Sequence, residues 1–260
     1  MNNPMERQGI MQQSVPFAPV VLFTGNYGSG KTEVAVNYSG HFASSGTDTK
    51  IVDLDLVNPY FRCREAREQL EEMGVTVVAP GGDYHNADLP ILLPQVRGAI
   101  ENSTGLSVLD VGGDNVGATV LSGLVKSFTR ANYEMNFVLN KNRPFTGTVQ
   151  GALQMMSEIE AASGLQISAI VSNTHLMDET TVDMIVDGVE FAHAVAEAKG
   201  VKFAFVAVEK RLLDDPKLSG CKSPVLAIER MLLPPWKQVT AATVTHARDG
   251  FARISAKYNS

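Results

Sequence analysis

The sequence predicts a three-layer α/β/α fold around a mostly parallel central sheet. Three observations carry that prediction. Short β-rich runs alternate with helix-length stretches, the runs are apolar throughout, and no linker, repeat or low-complexity block interrupts residues 16–240. Continuous apolar runs suit strands covered on both faces, and strand–helix alternation builds right-handed βαβ units.

The first strand is expected at residues 19–25, where PVVLFTG is rich in β-branched and aromatic side chains. The helix after it spaces Val34, Tyr38 and Phe42 by four, one apolar stripe. A second strand at 50–55 leads to a helix over 62–73, with Cys63, Ala66, Leu70 and Met73 on one face and Gly74 as its stop. Strands follow at 75–80, 106–113 and 134–140. A helix over 146–163 carries Val149, Leu153 and Met156 and ends at Ser163-Gly164. The strand at 166–173 precedes a helix over 181–199, with Val182, Ile185, Val186 and Val189 inward and Gly200 after the end. The last expected strand is 202–209, and Asp214-Asp215-Pro216 reads as a helix start. Residues 1–15 are expected to be a flexible tail and 16–240 one domain. Residues 241–260 are expected to be a C-terminal extension, helical and packed on that domain.

Composition excludes several classes. Lys and Arg number 22 against 28 Asp and Glu, and neither half has the basic excess that nucleic-acid binding needs. No apolar run approaches the roughly 18 residues that cross a bilayer. The opening residues lack a secretory pattern, so a cytoplasmic protein is expected. Cys63 and Cys221 lie far apart with no C-x-x-C, which argues against a disulfide scaffold or zinc finger. Cys63, on an apolar stripe, reads as core. His41, His193 and His246 show no metal-ligand spacing. Arg62, Arg64 and Arg67 alternate with Glu65 and Glu68 and read as a solvated helix face.

The strongest signal is Gly25-Asn26-Tyr27-Gly28-Ser29-Gly30-Lys31-Thr32, which fits G-x-x-x-x-G-K-[ST] between a strand and a helix. Glycines let successive N–H groups turn toward phosphate oxygens, and the helix dipole adds to that field. Lys31 is expected on the β/γ-phosphates and the Thr32 hydroxyl on Mg²⁺, with Glu33 closing the cofactor-binding stretch. The fold class thereby narrows to a P-loop NTPase. An acid must complete the metal side. Asp110 ends the strand at 106–109, and the N–H groups of Gly112 and Gly113 follow it toward the γ-phosphate. Asp53 and Asp55 alternate onto one side of their strand, so both carboxylates are expected at the site.

Together the strings GNYGSGKT, VDLDLVNPYF, LDVGGD and IVSN resemble the MinD/ParA–CobQ/CobB group of the SIMIBI class of P-loop NTPases, over most of residues 18–236. The chain is also similar to a bacterial set of nucleotide-binding proteins sharing GNYGSGKTE and DLDxVNPYFR. The resemblance implies Lys31, Asp55 and Asp110 as catalytic residues, with Asp55 positioning the attacking water. It implies Thr32, Asp53 and Asp110 on the metal side, and Asn58-Pro59 in a switch. Asn173 matches the position that reads the adenine edge, and Val208 and Glu209 match the base-pocket loop. Relatives that sandwich ATP between two subunits carry a lysine where this chain has Asn26, so the resemblance does not carry that cross-dimer lysine. Asn140-Lys141-Asn142-Arg143 begins like the guanine-reading N-K-x-D string but ends in Arg, which accepts no hydrogen bond. ATP is therefore favoured over GTP. The expected function is a slow Mg²⁺-dependent ATPase, a switch for a protein partner, with a homodimer left open. The rivals are phosphoryl transfer to a small acceptor bound at 81–88, beside His85, Asn86 and Asp88, and a non-hydrolysing sensor.

Overall fold

The computed structural model describes residues 18–55, 62–79, 89–113, 115–129 and 131–232. The expected tail, the Asn58-Pro59 switch, the loop at 81–88 and the C-terminal extension lie outside the described residues.

Among the described residues, eight strands form one sheet in which every neighbouring pair is parallel. They are β1 (Val20–Thr24), β2 (Thr49–Leu54), β3 (Val75–Val78), β4 (Leu106–Val111), β5 (Tyr133–Leu139), β6 (Ala169–Ser172), β7 (Lys202–Glu209) and β8 (Val225–Ile228), in the order β3-β2-β4-β1-β5-β6-β7-β8. The first seven match the expected runs. β8 was not expected: VLAI is four residues long and carries no alternation, and it earns its place by pairing with β7.

Among the described residues, seven α-helices connect the strands: α1 (Lys31–Ser44), α2 (Arg67–Glu72), α3 (Leu89–Glu101), α4 (Asn115–Ser122), α5 (Val125–Phe128), α6 (Val149–Ser163) and α7 (Val182–Lys199). Side chains alternate along β1. Val20 and Leu22 pack with residues of α3 to α7, whereas Val21 and Phe23 pack with α1 and with Cys63, Ala66 and Leu70. That division makes the three layers. On the α1 side, Tyr38 stacks on Phe205 at 5.9 Å and meets Phe23 edge-on at 5.2 Å, geometries that add to simple area burial. The stops at Gly74, Gly164 and Gly200 all adopt positive φ, as the helix ends require. Thr148 and Thr181 cap α6 and α7 by accepting from Gly151 N and Met184 N. Asp215 accepts from Lys217 N, opening a 3₁₀ turn over Pro216–Gly220.

The expected helix at 62–73 divides into a 3₁₀ turn, Cys63–Ala66, and α2. This tighter turn buries Cys63 and Ala66 and redirects Arg64. α3 and α4 were not expected, because Pro90 and Pro94 in one and Gly117 with β-branched neighbours in the other weaken the helical signal.

Candidate active site

The strand order assembles the site. β4 lies between β1 and β2, so the loop leaving β1, Asp110 on β4 and the acids of β2 emerge side by side at the carboxyl ends. In register, Asp110 is opposite both Phe23 and Asp53. Open parallel sheets bind ligands at this edge, where the strand order reverses.

The loop after β1 is closed by Ser29 N donating to Asn26 O at 3.0 Å, and α1 begins with Val34 N donating to Gly30 O at 3.0 Å. Asn26 and Ser29 are buried, while Tyr27 projects and is 69% exposed. Gly30 has φ +81°, and a Cβ there would lie 2.3 Å from Asn173 Nδ2. Both backbone and space therefore demand glycine at the turn into α1. Gly113 packs under the same loop, where a Cβ would come within 2.5 Å of Gly25 O.

Lys31 and Thr32 open α1 and are both buried. Lys31 Nζ stands 3.5 Å from Asp55 Oδ2, and Thr32 Oγ1 donates to Asp110 Oδ1 at 3.2 Å. Asp110 is wholly buried, and its other carboxylate oxygen has no partner among the described residues. Burial pushes the Asp110 carboxyl well above the usual range; Asp53 and Asp55 add to the rise, and Lys31 and the Thr32 hydroxyl oppose it. A buried, acid-crowded carboxylate with an unused oxygen beside a threonine hydroxyl is the donor set that suits a hard divalent cation.

Asp53 stands in register with Asp110, as expected, and it is engaged by the protein itself. Its Oδ2 accepts from Arg64 Nε at 2.7 Å and its Oδ1 from Asp55 N at 3.1 Å, so protein donors use both oxygens. Arg64 is correspondingly no solvated side chain: the Cys63–Ala66 turn carries it inward to 13% exposure. Cys63 is core, and burial with the nearby charges of Asp53 and Asp110 pushes its thiol up, away from the reactive thiolate.

Beside the loop lies a cavity of about 280 Å³ walled by the ends of β6, β7 and β8. Met177, Ile185, Ala207, Ile228 and Leu232 supply its apolar lining, while Lys31, Thr32, Asn173, His175 and Glu209 are among its polar residues. Asn173 donates its amide to Ser29 O at 2.8 Å, fastening β6 to the phosphate loop. Val208 turns the other way, into the apolar cluster with Ile185 and Val206. Glu209 accepts from Arg230 and Arg211, at 2.5 Å each. Glu33 accepts from Met231 N at 2.7 Å and Leu232 N at 3.2 Å, holding the chain after β8 against α1. Burial raises its pKa to about 7, against those donors, Asn37 and Arg230.

Arg143, His175 and Arg230 also face the cavity, and nothing in the sequence marks the last two. Burial lowers the His175 pKa to about 4, helped by Arg143 and Arg230, so the ring is neutral near pH 7. Met177 N donates to its Nδ1 at 3.4 Å, which leaves the proton on Nε2, a buried atom facing the Ser29 backbone.

Neither a protein-family model nor a curated protein matches the chain. Among solved structures it is similar to the cell division protein FtsY of Thermotoga maritima, with 20% identity and a TM-score of 0.52 over 76% of this chain and 65% of that one. A crystal form of FtsY from Mycoplasma mycoides gives 20% identity and a TM-score of 0.50 over 76% and 63%. The chain thus spans somewhat less than two thirds of the length of each. FtsY proteins belong to the SIMIBI class, and this chain has the fold of that class of P-loop NTPases. The narrower likeness to the MinD/ParA–CobQ/CobB group rests on the sequence motifs.

Proposed function

We propose that the protein binds ATP with Mg²⁺ and hydrolyses it slowly, as a nucleotide switch for a protein partner. The observation that carries this reading is the joint arrangement of Lys31 against Asp55 and Thr32 against Asp110 at the start of α1. It supplies a backbone cradle, a cation for the phosphates and an acid–hydroxyl pair for the metal within one cluster. Thr32 and Asp110 would hold Mg²⁺, which when bound neutralises charge on the phosphate oxygens. Lys31 is shared between Asp55 and the phosphates, and Asp55 is the acid proposed to orient the attacking water. Phosphate that draws Lys31 to itself loosens its pairing with Asp55, a differential contact of the kind that switching needs.

The reading takes adenine rather than guanine because the 140–143 string ends in Arg143, which offers no acceptor. Reading guanine takes an acceptor for its N1 and N2 hydrogens. The two carboxylates lining the described cavity are Glu33 and Glu209, and protein donors engage both. Calorimetric titration with ATP and GTP in Mg²⁺ tests the reading. ATP is expected to bind about tenfold or more tighter than GTP, a difference of roughly 1.4 kcal/mol. Lys31→Ala should weaken ATP about 10- to 100-fold, as loss of a charged hydrogen bond does. Absence of ATP binding, or a Lys31→Ala variant that binds and hydrolyses normally, overturns it. A preference for GTP overturns only the base assignment.

A further inference from the structure

The turn after β5 contains the string that began like a guanine reader and ended in Arg143. Its fold is tightly specified. Asn140 Oδ1 accepts from Asn142 N at 3.0 Å, Asn140 Nδ2 donates to His175 O at 3.2 Å, and the Thr146 hydroxyl donates to Asn140 O at 3.0 Å. Lys141 is drawn outward to Asp187 at 2.6 Å. With its neighbours so held, Arg143 reaches back over the phosphate loop, and its Nε donates to Gly28 O at 2.7 Å. Its guanidinium carbon would lie 3.1 Å from a Cβ on residue 28, so glycine there gives the guanidinium room to lie on the loop.

Charge separates Arg143 from the other cations lining the cavity. Lys31 faces Asp55, and Arg230 is paired with both Asp178 and Glu209. Arg143 has no acid against it among the described residues, and its Nη1 and Nη2 make no hydrogen bond there. A guanidinium pinned through Nε keeps its outer fork preset in direction, and that fork matches two phosphate oxygens at once. Its anchor is a carbonyl of the very loop whose amides form the anion cradle.

We propose that Arg143 is a nucleotide-binding residue whose outer fork contacts the phosphate chain. This assignment rests on the nucleotide reading above and adds a ligand contact from β5, outside the phosphate-loop motif. The bond to Gly28 is the hinge of the contact: it spends one donor on the protein and leaves the others for the ligand.

The test uses whichever of ATP and GTP binds the wild-type protein more tightly, its diphosphate, and its nucleoside, the last followed by NMR titration. Arg143→Gln is expected to weaken the tri- and diphosphate about 10- to 100-fold and to leave the nucleoside unchanged, since only phosphate contacts are lost. Arg143→Lys keeps the charge and a donor for Gly28 O but lacks the fork, so its affinities should fall between the two. Equal binding of all three ligands by wild type and Arg143→Gln overturns the proposal. So does an equal loss for all three, which marks a role in loop shape alone. Failure of the wild-type protein to bind either triphosphate brings down the nucleotide reading itself, an outcome distinct from both.

Discussion

Removing Asp53 separates two roles that its position would allow. The side chain is wholly buried, and its oxygens accept from Arg64 Nε at 2.7 Å and Asp55 N at 3.1 Å. Asp53→Ala therefore strands the Arg64 guanidinium at 13% exposure, its ion pair among the described residues gone. Breaking a buried pair in this way costs about 3–5 kcal/mol, mostly the penalty of an uncompensated buried charge. For a domain of this size each kcal/mol lowers Tm by about 2–4 °C, so the melt should drop by about 6–20 °C. The paired variant Asp53→Ala/Arg64→Met removes the stranded charge and should recover at least half of that loss, because the two effects are coupled. Thermal melts followed by circular dichroism read both. A melt of Asp53→Ala within about 2 °C of wild type, or a double variant no more stable than the single, refutes the reasoning. If Asp53 served the metal instead, its removal would spare the melt and raise the Mg²⁺ concentration needed for nucleotide binding.

The pH dependence of stability should carry two opposing slopes. Glu33 has a folded pKa of about 7 against 4.5, so the native state holds the extra proton; its contribution is full below 4.5 and is lost as pH rises through about 7. His175, at about 4 against 6.5, does the reverse: its contribution is present above 6.5 and is lost as pH falls toward 4. Relative to wild type, Glu33→Gln should steepen the rise of stability with pH, and His175→Asn should flatten it, in urea unfolding between about pH 4.5 and 7.5. Matching pH profiles for wild type and both variants would contradict the assignment. Gly30→Ala combines a φ of +81° with a Cβ 2.3 Å from Asn173 Nδ2. It should cost about 2–3 kcal/mol, from left-handed strain plus the lost Asn173–Ser29 bond, and weaken nucleotide binding in parallel; a wild-type melt would exclude that packing.

Local features were legible without the fold. The phosphate loop is eight consecutive residues whose chemistry depends on their own backbone, and strand and helix runs announce themselves by apolar patterning within a few residues. The stops at Gly74, Gly164 and Gly200 and the Asp215 cap follow from local backbone preferences in the same way. β8 is not legible in the sequence, because a four-residue apolar run says nothing until β7 offers it hydrogen bonds. Arg64 departs from its expected solvated face because charge alternation describes a surface helix only in a regular helix, and the 3₁₀ turn points it inward.

What the sequence by itself determined was the kind of chain this is: an α/β fold of parallel strands with an anion cradle between the first strand and first helix. Only the tertiary structure decided how the charges around that cradle are shared. Asp53 joins Arg64, Lys31 faces Asp55, Glu33 holds Met231 and Leu232, and Arg143 crosses 115 positions to reach Gly28. The first depends on the turn that follows β2, and the others on the strand order β2-β4-β1-β5 or on the chain returning beside α1. Electrostatic pairing acts through distance in space, and a sequence records distance only along the chain.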